Sequence, residues 1–266
     1  TNTKAYELYL KGKHIYDKRE NTDDTEIARG LLQKAIALDD NLIAAKVSLG
    51  ISYSQMGDYD EAMKIFTPAR DQAEKIGDKP GMGNALNNIG GVHYYKGEYN
   101  KALEYFDKSL KIKEEISDTH GMGKALINMG TVHANRGDYD KALEYYKRGL
   151  KIQEDLGDKH GIGGALNSIG NVHIHSNRGE YDKALEYYER ALKIKEEISD
   201  TYGMGLTLTN IGIVHVNRGD YDIALEYYDK SLKIHEEQGN KHAIGNTLNN
   251  IGIVHVNRGD YDKALE

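Results

Sequence analysis

Apolar residues recur along most of the chain at three- and four-residue steps, interrupted at regular places by glycine, which is the pattern of short amphipathic helices. In "GNALNNIGGVHYYKG" the stripe is Leu86, Ile89 and His93. The segment stops at Gly97, because glycine enters the left-handed conformation at little cost. The next segment, "YNKALEYFDKSLKIKEEI", turns Ala102, Tyr105, Phe106, Leu110 and Ile112 toward neighbours and lines Lys and Glu along its other face. A second glycine-bearing turn follows, written "GDKPGMG", "SDTHGMG", "GDKHGIG", "SDTYGMG" and "GNKHAIG" in successive units.

The helix pair repeats. Glycine followed by an acid and tyrosine stands at Gly57, Gly97, Gly137, Gly179, Gly219 and Gly259, in steps of 40, 40, 42, 40 and 40 residues. Two extra residues in "NVHIHSNRGEYD" make the longer step. The phrase "NIGIVHVNRGDYD" begins at Asn210 and again at Asn250. Neither helix of a pair can bury its stripe alone, but a stack of pairs can, so the pattern predicts an all-α solenoid of stacked antiparallel helix pairs. The expected units are 42–81, 82–121, 122–161, 162–203 and 204–243, after a variant unit at 1–41 and before an incomplete one at 244–266. All fall in a single solenoid over 1–266. The break inside "YDKALE" leads us to expect a piece of something longer, or an open last repeat that self-associates.

These residues resemble the tetratricopeptide repeat family. The pairs Leu49-Gly50, Ile89-Gly90, Met129-Gly130, Ile169-Gly170, Ile211-Gly212 and Ile251-Gly252 fit its first helix. Its turn tyrosine matches Tyr59, Tyr99, Tyr139, Tyr181, Tyr221 and Tyr261. Its small crossing residue matches Ala62, Ala102, Ala142, Ala184, Ala224 and Ala264. Its second-helix aromatic matches Phe66, Phe106, Tyr146, Tyr188 and Tyr228. The units exceed the usual length of about 34 residues, and a glycine-bearing turn replaces the closing proline. Both departures resemble the long-period repeats of kinesin light chains, spindle-orientation adaptors and bacterial signalling proteins. The resemblance implies a right-handed superhelix without catalysis of its own, whose concave surface of first helices binds a peptide or helix. The first unit is similar to repeats that follow the catalytic domain of bacterial cyclases. That gives a second expectation, the regulatory or sensory part of a larger bacterial enzyme such as a cyclase, histidine kinase or caspase-like peptidase. A self-assembling scaffold is a third.

Composition narrows the field. A net charge of −7 and a pI near 5.9 argue against nucleic acid or an anionic membrane as partner. The absence of cysteine excludes disulfides and thiol catalysis. There is no signal-peptide core and no apolar run near the ~20 residues that span a bilayer, so we expect a cytoplasmic protein. Twenty tyrosines against two phenylalanines set a problem, since a core built with tyrosine must find partners for its hydroxyls or leave them at its edge.

Candidate chemistry is sparse. His93, His133, His173, His215 and His255 occupy one equivalent position per unit, roughly 10 Å apart in a solenoid, too far to share a metal ion. They read as packing residues with a ring nitrogen bonded to a neighbour, and a buried row of them would resist protonation and loosen the stack in acid. "GMGNALNNIG" lacks the preceding strand and third glycine of a dinucleotide fingerprint. The "GDYD" acids lack the ligand run of a calcium loop and are expected to cap the second helices. No metal, cofactor or catalytic set is expected.

The family resemblance instead points to the groove. Mapped onto this sequence, its positions are Asn84, Asn87 and Asn88; Lys124 and Asn128; Asn167 and Asn171; Thr209, Asn210 and Asn217; and Asn246, Asn249, Asn250 and Asn257. An amide both donates and accepts, so a ladder of asparagines suits a peptide backbone, with Tyr94 and Tyr95 as an aromatic anchor. Chaperone-binding relatives clamp a terminal carboxylate with a lysine where this chain has Asn167, beside Asn171, so that clamp is incomplete. The expected partner is a protein or peptide.

Overall fold

The computed structural model describes residues 2–19, 22–176 and 179–264. Asn177 and Arg178, in the lengthened unit, and the last two letters of "YDKALE" lie outside the described residues. Every element among the described residues is a helix. The first helices of the pairs are α1 (Thr3–Asp17), α3 (Ile43–Ser54), α5 (Lys79–Tyr95), α7 (Thr119–Asn135), α9 (Lys159–His175), α11 (Thr201–Arg218) and α13 (Lys241–Arg258). The second helices are α2 (Thr22–Leu38), α4 (Tyr59–Ile76), α6 (Tyr99–Glu115), α8 (Tyr139–Leu156), α10 (Tyr181–Glu197), α12 (Tyr221–Glu237) and α14 (Tyr261–Ala264).

From α5 onward the first helices open three residues before the expected unit boundaries, and the chemistry of the turn explains it. Gly77 takes a left-handed φ of 74°, and Asp78 then caps α5 by accepting from the Gly81 N–H at 2.9 Å. The letters "KPGMG" are therefore the first helical turn, where Pro80 costs nothing because its missing N–H has no partner there. Asp118, Asp158, Asp200 and Asn240 make the same cap onto the residue three ahead.

The helices gather into two compact units, Thr1–Val132 and His133–Glu266. In the first, α1 packs on α2, α3 on α4 and α5 on α6, while α2 also packs on α3 and α4 on α5. One core joins Ile43, Val47, Phe66, Ala69, Ala85, Ile89 and Val92; another joins Ala5, Leu32, Ala35, Ala45 and Leu49. In the second unit α9 packs on α10 and α11 on α12, around Ala184, Tyr188, Ile211 and Val214, then Ala224, Tyr228 and Val254. First helices also touch first helices, as in α3 with α5 and α9 with α11.

The glycine of the Ile-Gly pair is needed for approach. A Cβ on Gly90 would lie 2.8 Å from the Phe106 ring, well inside contact distance. The tyrosine hydroxyls are handled at the edge of this contact: Tyr188 is buried, yet its hydroxyl donates to Asn171 Oδ1 at 2.6 Å. Burial without a nearby cation raises the phenol of Tyr188 and pushes that of Tyr228 up to about 12.

Candidate functional site

Helices α3, α5, α7, α9, α11 and α13 contain no Asp or Glu at all. The acids that give the chain its negative charge stand on the second helices, in the turns and in the first unit. The first-helix faces are therefore amide, hydroxyl and aromatic surfaces with scattered bases. Such a surface offers hydrogen-bond donors and acceptors and no carboxylate.

In the unit Thr1–Val132 these faces enclose a cleft of about 430 Å³. Five of the expected groove residues line it: Asn87, Asn88, Tyr94, Tyr95 and Asn128. Asn128 donates through Nδ2 to Asn87 Oδ1 at 3.2 Å, bridging α7 and α5, and Asn88 donates to the Asn84 carbonyl at 2.8 Å. Tyr95 stacks on Tyr59 with centroids 5.6 Å apart and meets Tyr94 edge-on at 5.2 Å, so two rings form a fixed aromatic wall. Ser54, Gln55, Gly91 and Thr131 also line the cleft and were not among the expected residues. Gln55 is the C-cap of α3 and Thr131 lies on α7, and neither is an asparagine.

The remaining expected residues fall elsewhere. Asn84 is engaged by Lys113, whose Nζ donates to its Oδ1 at 2.9 Å, and Lys124 is exposed on α7. In the second unit Asn167 bonds Thr207 across α9 and α11 at 3.0 Å, and Asn171 receives the Tyr188 hydroxyl. Thr209 bonds Ser231 at 2.7 Å and the Gly205 carbonyl at 3.2 Å. Asn246 meets His242 at 3.3 Å. Asn210 and Asn250 are half-buried; Asn217, Asn249 and Asn257 are exposed.

Four histidines of the row pack as expected, each with a ring nitrogen bonded to a neighbour. Each ring of His93, His133, His173 and His215 stacks on the tyrosine of the following helix, with centroids between 5.2 and 5.6 Å. Nδ1 of each faces the acid of the Gly-acid-Tyr turn: 2.7 Å to Glu98, 3.3 Å to Asp138, 2.6 Å to Glu180 and 3.4 Å to Asp220. This corrects the reading of those acids as helix caps. Asp58, Glu98, Asp138, Glu180 and Asp220 sit at N-cap positions but make no side-chain cap bond, and the last four reach for histidine instead. Hydrogen bonds first from Lys101 and then from His93 hold the Glu98 carboxyl below its ordinary value. Among the described residues no three metal-ligating side chains come together.

A second buried polar series escaped the sequence reading. Ala73, Lys113, Gln153, Lys195 and His235 are equivalent positions near the ends of the second helices, and all are buried. The signal was present, as a lysine, glutamine and histidine where the first copy has alanine.

The tetratricopeptide repeat profile matches residues 41–115, 121–197 and 203–266. No curated protein matches the chain in sequence at a significant level. A signal transduction ATPase with numerous domains and a tetratricopeptide repeat sensor, from Pyrococcus horikoshii, superposes with a TM-score of 0.74 at 17% identity. It covers 96% of this chain, which spans 44% of that protein's length. A Rap protein complexed with competence and sporulation factor gives 0.74 at 18% identity, over 98% of this chain and 72% of its own. A kinesin light chain from Podospora anserina with nearly identical repeats gives 0.60 at 13%, over 76% of this chain and 98% of its own. No helix among the described residues is long and apolar enough to cross a membrane.

Proposed function

Because this chain belongs to the tetratricopeptide repeat family, we propose that it is a cytoplasmic protein-interaction module that holds an extended peptide segment in the cleft of its first unit. The observation that carries the reading is the cleft itself, where Asn87, Asn88 and Asn128 set amides beside the Tyr94–Tyr95 wall on faces without a single carboxylate. The amides pair with main-chain N–H and C=O groups, the rings cover one apolar side chain, and acids on the second helices stay clear of the bound strand. The other first-helix asparagines belong to the same proposal in the second unit. A Rap protein of similar fold is complexed with competence and sporulation factor, which is a supporting precedent.

The test is capture of partners by the full chain from a cell extract, repeated with Asn87 and Asn128 changed to alanine. We expect the captured set to fall away while the helical signal and melting temperature hold. Partners that survive the double substitution in a folded chain overturn the cleft assignment.

The Pyrococcus structure favours a second reading, in which these repeats are the sensor of a larger signalling protein, and the gene sequence on either side of this chain decides it. Self-association has its own motive: Leu248 on α13 is 50% exposed where its counterpart Leu208 is 6% exposed. Light scattering across a concentration series checks it.

A further inference from the structure

Two buried lysines at equivalent positions are satisfied unequally. Lys113 is 3% exposed, and its Nζ donates to Asn84 Oδ1 at 2.9 Å and to Asp118 Oδ2 at 3.1 Å. Lys195 is 6% exposed, but its Nζ has only the Gly203 carbonyl at 3.3 Å, with Asp200 Oδ2 farther off at 3.9 Å. The cause is one letter. The position held by Asn84 in the earlier repeat is Gly164 here, 80 residues later, and a Cβ on Gly164 would meet nothing within 4 Å. A buried ammonium has three protons to place, and one long bond to a carbonyl leaves it short of acceptors. Gly164 is exposed on α9, so the open space above it communicates with solvent.

We propose that Lys195 anchors a carboxylate subsite: a carboxylate of a bound peptide enters over Gly164 and takes, at Lys195 Nζ, the place that Asn84 Oδ1 holds at Lys113. The carboxylate already near the amine is that of Asp200, whose Oδ2 stands at the edge of ion-pair range, 3.9 Å from Nζ, and an incoming anion would share the lysine with it. Asp200 has one oxygen committed to the Gly203 N–H at 2.9 Å, and His160 lies with Nδ1 4.0 Å from the other. No acid stands on α9 or α11. Desolvation lowers the Lys195 amine from its ordinary value, the direction expected of a cation short of partners. An oxygen that neutralises it recovers a charge-assisted hydrogen bond inside a water-poor site.

The subsite rests on the peptide-binding reading but lies in the other unit, which keeps their tests apart. Backbone amide shifts of Gly164 and Gly203 in the labelled full chain are followed during titration with three acetylated Gly/Ser peptides. One is amidated and carries a central Glu, one has a free terminal carboxylate and no acidic side chain, and one is amidated with neither. We expect saturable shifts with the first or the second and none with the third. Which of the two responds identifies the carboxylate as side chain or chain terminus. Gly164→Asn, which supplies the missing acceptor from within, should weaken binding about tenfold, and Lys195→Met should abolish it. Gly164→Asn keeps the lysine and meets open space, so it decides the matter even where Lys195→Met fails to fold. Absent shifts with both acidic peptides, or binding indifferent to Gly164→Asn, overturn the subsite. Partner capture that depends on Asn87 and Asn128 but ignores Gly164→Asn overturns it while leaving the cleft standing.

Discussion

His173 stacks on Tyr187 with ring centroids 5.5 Å apart while its Nδ1 lies 2.6 Å from Glu180 Oε2, so one side chain ties the end of α9 to both the start and the body of α10. The carboxylate is also bonded by Lys183 at 2.7 Å. Lys183 first and His173 second lower its pKa from 4.5 to about 2. A carboxylate depressed in the folded state stabilises the fold above its ordinary value, and that contribution is lost as the pH falls through the folded value. The melting temperature should therefore drop between pH 4.5 and about 2, and Glu180→Gln should melt lower at neutral pH with a shallower acid decline. Parallel melting curves for the two proteins across that range would remove the claim.

His235 answers to a different part of the pH scale. It is 1% exposed, edge-on to Tyr202 at 6.1 Å, and packed so closely to Gly205 that a Cβ there would lie 2.8 Å from Nε2. Burial lowers its pKa below 6.5, against a smaller opposing bond with Gln238. The folded state thus favours neutral imidazole. Its contribution is complete above the ordinary value and is lost as the pH falls below it, because the unfolded chain takes up the proton first. His235→Gln, which copies Gln153, should flatten the fall in melting temperature between pH 7 and 5.5.

Asn84 and Lys113 test the value of the buried amine directly. Asn84→Ala removes the 2.9 Å acceptor and leaves the ammonium with Asp118. We expect a loss of about 1–3 kcal/mol in urea unfolding. Adding Lys113→Met should recover most of it, since no stranded charge remains. A double variant no more stable than Asn84→Ala alone would mean that the amide acts through something other than the lysine.

Adjacent glycines on α5 should respond with opposite signs. Gly90→Ala drives a methyl into Phe106 and should cost about 1–3 kcal/mol. Gly91→Ala meets nothing within 4 Å and should stabilise the helix by about 0.5–1 kcal/mol. Thermal melting of the two variants separates packing from propensity.

Much of the fold was legible because the repeat restates its evidence six times. The Ile-Gly pairs, turn tyrosines and crossing alanines each mark an interface whose geometry recurs, and the observed helices follow them. The helix starts were misplaced by three residues because Asp78 and its equivalents cap through the side chain, while "KPGMG" reads as turn by composition alone. The turn acids misled for the converse reason. Asp138 has the right type and place for a cap, and only the structure shows His133 drawing its carboxylate away. In the cleft, asparagine was visible as a pattern but not its use. Asn128 reaches Asn87, whereas Asn171 is taken up by Tyr188.

The twin segments beginning at Asn210 and Asn250 also carry twin bonds, Arg218 to Asp182 and Arg258 to Asp222, each joining residues 36 apart. Recombination between the two copies would remove the 40 residues between their starts (250 − 210 = 40) without altering a letter at the seam. Arg258 would then meet Asp182, as Arg218 does now. In such a protein the number of repeats is a heritable quantity that changes in whole steps. A lineage can lengthen or shorten its row of helix pairs by unequal crossing-over, with each product folding on bonds that already exist.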